Sequence, residues 1–136
     1  MFSIEVKVGR LLEIRLMAPV TIQDIELGSQ RLVQIFRQHP GKLVGVGDFS
    51  KATVFSPEVA DRMIEVMKTD NPGLERSGIL VSESAIFSLQ LERLISHAAN
   101  PRRRCFRDPF ELKAFVGGIL NHEEHLRLAQ FFAERP

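Results

Sequence analysis

The sequence predicts an α/β protein of one domain, residues 1–136, in which an N-terminal antiparallel hairpin leads into alternating strands and helices, about five of each. Three observations carry this prediction. Apolar and charged residues alternate over residues 2–16, as half-buried strands require. Two short apolar runs, KLVGVG and GILVS, are bounded by glycine and turn residues, the pattern of strands covered on both faces. Around them, apolar residues recur at helical spacing behind Ser, Thr, Asp or Asn starts.

Taken in order, Phe2, Ile4, Val6 and Val8 form the first strand, and Leu12, Ile14 and Leu16 the second, with Gly9-Arg10 as the turn between them. Thr21 and Asp24 open a helix whose stripe is Ile22, Ile25, Leu32, Ile35 and Phe36, ended by His39-Pro40-Gly41. Residues 42–47 form the third strand, and the loop DFSKATVF leads to Ser56. Val59, Ala60, Met63, Ile64 and Met67 mark the second helix, closed by Asp70-Asn71-Pro72-Gly73. Residues 78–82 form the fourth strand, and Phe87, Leu91, Leu94, Ile95 and Ala98 the face of the third helix. Residues 103–107, RRCFR, form the last strand. Asp108-Pro109 with Glu111 opens a helix with Leu112, Phe115, Val116 and Ile119 inward. An extra C-terminal helix at about 121–134 starts with Asn121 and Glu124 and turns Leu126, Ala129 and Phe132 to the core.

Composition narrows the function classes. Eighteen Lys plus Arg against 17 Asp plus Glu leave a net charge of +1, so nothing in the overall charge draws the chain to nucleic acid or an anionic membrane. A single cysteine, Cys105, excludes an internal disulfide and fits a reducing compartment. The N-terminus has no signal-peptide core, and no apolar run reaches the roughly 18 residues of a membrane span. The expectation is a cytoplasmic protein without a cofactor.

The order of elements, with Ser56 at the mouth of the helix after the third strand, resembles the STAS family of anti-sigma-factor antagonists and their bacterial SpoIIAA-like relatives. The segment DPFELKAFVGGILNHEEHLRLAQFF also resembles the C-terminal end of SpoIIAA-like proteins. The resemblance implies a STAS-like sandwich and a non-enzymatic regulatory or scaffolding module that binds a protein partner. It leaves open a homodimer and, as in some branches of the family, a lipid or nucleotide ligand. In phosphorylated members the acceptor serine stands in an Asp-Ser-Ser-Gly context. Here only Ser56 carries over, in VFSPE. Glu58 would repel a phosphate and Pro57 removes a donor, so Ser56 reads as a helix cap.

Two groups of residues are candidates for a binding surface. Asp48 falls at the end of a buried strand, where open α/β sheets collect ligands, and Ser50, Thr53, Ser56, Ser82 and Ser84 should gather at the same end of the sheet. The competing explanation is that these side chains cap their own turns and helices. Arg102, Arg103, Arg104 and Arg107 form a basic stretch, with Arg93 nearby, that could grip an anion or an acidic partner. Positive charge on an edge strand also discourages sheet-to-sheet aggregation. Gly45 and Gly47 do not form a dinucleotide fingerprint. His122 and His125 are three apart, not the four of a zinc-protease helix, and no metal site is expected. Cys105 has no histidine placed beside it and reads as a structural thiol.

Overall fold

The computed structural model describes residues 1–134, and in it β1 (Phe2–Val6) and β2 (Leu11–Met17) form the expected hairpin, Ile4 opposite Ile14. The Leu11 N–H donates to the Val8 carbonyl at 3.2 Å across the turn, and Gly9 adopts φ +54°. A side chain at Gly9 would be strained by that backbone and would collide with the Glu124 carboxylate, so the turn requires glycine twice over.

From β2 onward the chain repeats one move. α1 (Ile22–Gln38) leads to β3 (Leu43–Lys51), α2 (Pro57–Asp70) with a short 3₁₀ turn to β4 (Leu74–Leu80), and α3 (Ala85–Ala98) to β5 (Arg103–Phe106). Each new strand pairs parallel with the one before it, so the sheet order β1-β2-β3-β4-β5 is the chain order and β1 and β5 are its edges. α4 (Pro109–Gly117) and α5 (His122–Ala133) follow. The α/β class, the mixed sheet and the five helices are as the sequence predicts. No helix among the described residues is long and apolar enough to cross a membrane.

Two apolar cores lie on opposite faces of the sheet. Inward residues of β1 to β5, such as Ile4, Leu12, Leu43, Phe49 and Ile79, pack against α1, α2 and α3 through Ile25, Leu32, Met63, Phe87 and Leu91. Their alternates Leu11, Val44, Val46 and Leu80 pack against Leu112 and Val116 of α4 and Leu128 and Phe131 of α5. Period-two alternation thus fills both faces, as a sheet covered on both sides demands.

Four expectations need correction. The third strand does not stop at Gly47 but runs to Lys51, so Asp48 lies within β3 rather than beyond it. Its carboxylate is buried because Arg15 of β2 pairs with it at 3.0 Å. The fourth strand begins at Leu74, four residues before the glycine that seemed to open it. On α5 the inward face is Glu124, Arg127, Leu128, Phe131 and Phe132, while Leu126 and Ala129 are exposed. That phase is set by buried charged groups, which a count of apolar residues passes over. Finally, the Asp108 carboxylate accepts from the Phe110 N–H at 2.9 Å, and Glu111 closes no capping box with it.

Candidate functional site

The carboxyl ends of β3, β4 and β5 open on a cleft of about 460 Å³, lined by Ser50, Lys51, Val81, Ser82, Glu83 and Arg107 and walled by Phe132 and Ala133 of α5. Parallel strands that end at the same level, with connections leaving on one face and α5 on the other, create this opening. It brings together Ser50 and Ser82 of the expected polar group and Arg107 of the basic stretch.

Hydrogen bonding decides what the cleft can do. Ser50 directs both its N–H (3.0 Å) and its hydroxyl (2.5 Å) to Asp48 Oδ1, so the serine oxygen turns only lone pairs outward. Asp48 Oδ2 is held by Arg15, whose guanidinium also donates to the Phe131 carbonyl and lies 3.9 Å from the centre of the Phe131 ring. Asp48 is thus already engaged by Arg15 and Ser50, and among the described residues no histidine lines the cleft to activate a serine. Among the described residues, Lys51 and Arg107 are the cations that line the cleft.

The other expected residues separate. The Ser56 hydroxyl accepts from the Val59 N–H at 3.3 Å, with Pro57 at the first helical position, and the Ser84 hydroxyl accepts from the Phe87 N–H at 3.3 Å. Both cap their helices. Ser56→Ala is expected to cost about 1 kcal/mol, read as a fall in the urea midpoint, and an unchanged midpoint would remove the cap assignment. Thr53 is exposed in the loop before α2.

The basic stretch also divides. Arg102 is exposed, and Arg104 lies 5.1 Å from the Phe115 ring on the α4 face. Arg103 faces the opposite way and is buried, donating to Asn71 Oδ1 at 2.7 Å and to the Met67 carbonyl at 3.4 Å. It answers the carbonyl end of α2 instead of forming part of a surface patch. β5 is an edge strand, so Arg102 and Arg104 do stand where positive charge protects an edge.

Cys105 is half-buried, and burial pushes its thiol up to about 12, far from thiolate at neutral pH. His122 and His125 are exposed at the start of α5, and no group of three metal-ligating side chains occurs among the described residues.

Two features escaped the sequence reading. One is an ionic seam between β2 and α5: Arg127 grips both oxygens of Glu13 at 2.7 and 2.6 Å and reaches Glu134 at 3.1 Å. These bonds hold the Arg127 guanidinium protonated and draw the Glu134 carboxyl below its ordinary value. At the other end of α5, Glu124 accepts from its cap Asn121 at 2.9 Å and from the Arg10 N–H of the hairpin turn at 2.6 Å. Glu13 and Arg15, alternating with Leu12, Ile14 and Leu16, were the available signal. The other feature is a set of exposed apolar side chains on the segments that follow β3 and β4. Gln90 of α3 accepts from the Phe55 N–H at 2.8 Å and donates to its carbonyl at 2.9 Å, pinning the β3–α2 loop to the helix. Val54 precedes the pinned Phe55 in that loop, Ile86 and Leu89 stand three apart on α3, and all three are exposed. Ile86 is 72% accessible.

No family model and no curated protein matches the chain.

Proposed function

We propose that this chain is a non-enzymatic regulatory or scaffolding module of STAS-like type, which works by binding another protein at the carboxyl end of its sheet. The observation that carries this reading is the exposure of Val54, Ile86 and Leu89 on the segments that follow β3 and β4, with the β3–α2 loop tied to α3 through Gln90, together with a cleft at these strand ends that Lys51 and Arg107 line. Apolar side chains fixed in water next to a charged rim are the composition of an interaction surface. The partner segment that fits places an acidic side chain in the cleft and apolar side chains over α3. Ser56 takes part as a cap that sets the α2 terminus and not as a phosphate acceptor. The committed, paired state of Asp48 and Ser50 supports a binding role over a catalytic one.

A photo-crosslinking residue at Leu89 tests this, with one at the exposed Leu27 of α1 as control. The expected result is a protein adduct from Leu89 and not from Leu27, lost when Ile86→Asp is added and weakened by high salt. Equal adducts from both positions, or insensitivity to Ile86→Asp, would overturn the reading. An adduct with the mass of two chains would identify the partner as a second copy.

A further inference from the structure

The sheet has two edges, β1 and β5, and the chain treats them differently. At β1 the Met17 N–H donates to the Met1 carbonyl, so Met1, Ser3 and Glu5 bond towards β2 and Ile4 turns its backbone outward. That outward carbonyl is covered, because Arg31 of α1 donates its Nε–H to it at 3.3 Å. At β5 the Arg102 and Phe106 carbonyls accept from the Ser77 and Val81 N–H groups at 2.9 and 2.8 Å. Alternation then turns the Arg103 carbonyl and both backbone groups of Cys105 away from β4. Among the described residues no hydrogen bond reaches these three groups.

The open edge is also basic. Arg104 of β5 and Arg102 just before it are exposed and two positions apart, the spacing that sets side chains on one face of a strand. Arg76 of β4 joins them: its guanidinium donates to the Phe115 carbonyl of α4 at 2.7 Å and lies 5.7 Å from the Phe115 ring, and that of Arg104 lies 5.1 Å from the same ring. Phe115 therefore orients two of the three guanidiniums. Arg10, Arg15, Arg62 and Arg127 each pair with a carboxylate of the chain, whereas among the described residues Arg76, Arg102 and Arg104 pair with none. A second copy docked edge to edge here would bring arginine up to arginine, which like charges disfavour. An acidic strand meets the opposite condition.

We propose that β5 is a docking edge for an extended acidic segment of a partner protein, which adds to the sheet as a further strand. The segment's backbone accepts from the Cys105 N–H and donates to the Arg103 and Cys105 carbonyls, while carboxylates at alternate positions meet Arg102 and Arg104. Main-chain bonds supply the affinity, and the arginines select an acidic sequence. Because β5 is short, the ladder alone is a weak tether, and the charge match decides which strand stays. This edge runs along the side of the sheet and not across its carboxyl end, so the proposal stands whether or not the cleft binds a partner.

The probe is a short synthetic peptide that alternates glutamate with valine, blocked at both ends, and its control replaces glutamate with lysine. Titrated into isotope-labelled protein, the glutamate peptide is expected to shift the Arg104, Cys105 and Phe106 amides saturably. Hydrogen exchange of the Cys105 amide, which has no partner in the free protein, should slow about tenfold with the peptide at about ten times its Kd, since exchange then proceeds from the free fraction. Arg104→Glu, at an exposed position, should weaken the glutamate peptide about tenfold and leave the other amide signals in place. No saturable shift, equal binding of the lysine peptide, or shifts that leave Cys105 exchange unchanged would each overturn the proposal. A Cys105 amide already protected in the protein alone, and released on dilution, would overturn it too, by showing that a second copy covers the edge.

Discussion

Asp70→Asn is expected to make the protein more stable at pH 8, by about 2–4 kcal/mol, and to leave it little changed at pH 3. The folded state raises Asp70 from 3.8 to about 7 because burial disfavours the charged carboxylate, and the attraction of Arg103 only partly opposes this. Between those two values the folded chain keeps a proton that the unfolded chain has released. Stability from this group therefore falls as pH rises through the window, and the loss is complete above about 7. About 3 pH units correspond to roughly 4 kcal/mol, an upper figure, because removing the negative charge also deprives the buried Arg103 of its counterion. Urea unfolding of both proteins across the pH range measures the gap. A gap that stays constant with pH, or an asparagine variant that is weaker at pH 8, would contradict the assignment of Asp70 as a strained buried acid.

Arg127→Met alone is expected to cost about 3–5 kcal/mol, whereas Glu13→Leu with Arg127→Met should recover most of that loss. Glu13 and Arg127 are both buried, with two short bonds between them. Removing the guanidinium strands a carboxylate among Leu11, Val46 and Leu128, which is worse than having no charge there at all. The exposed Glu134 contributes little, since its contact with Arg127 is open to solvent. Urea midpoints for the two single variants and the double variant give the coupling directly. Additive losses would show that the pair does not act as a unit.

The sequence made the order of elements legible because its punctuation is strong: Gly9, His39-Pro40-Gly41, Asn71-Pro72-Gly73 and Asn100-Pro101 each fall at an element boundary. Caps were equally readable, since Thr21 with Asp24, Ser56 and Asn121 with Glu124 are local patterns that the structure realises. What pattern reading missed was charge turned inward. Asp48, Glu124 and Arg127 are each buried against a partner distant in sequence: 33 residues to Arg15, 114 to Arg10, 114 to Glu13. Arg103 left the basic stretch for the same reason, drawn to Asn71, 32 residues away. The clue that was present is topological. Two helices after the last strand must cover the second face of the sheet, and the charged residues alternating along β2 then point inward.

The candidate surface was half legible. Ser50, Ser82 and Arg107 meet in the cleft because strand ends align in a parallel sheet.

The identity of sheet order and chain order bears on how the molecule is made. Each strand pairs with the one synthesised just before it, so the sheet can lengthen from its N-terminal end as the chain emerges, with no strand waiting for a later neighbour. The exception is α5, whose Glu124 and Arg127 must find Arg10 and Glu13 on the first hairpin. Until α5 docks, its side of the β2 and β3 face carrying Leu11, Val44 and Val46 is bare, so a helix made after every strand closes off the earliest ones.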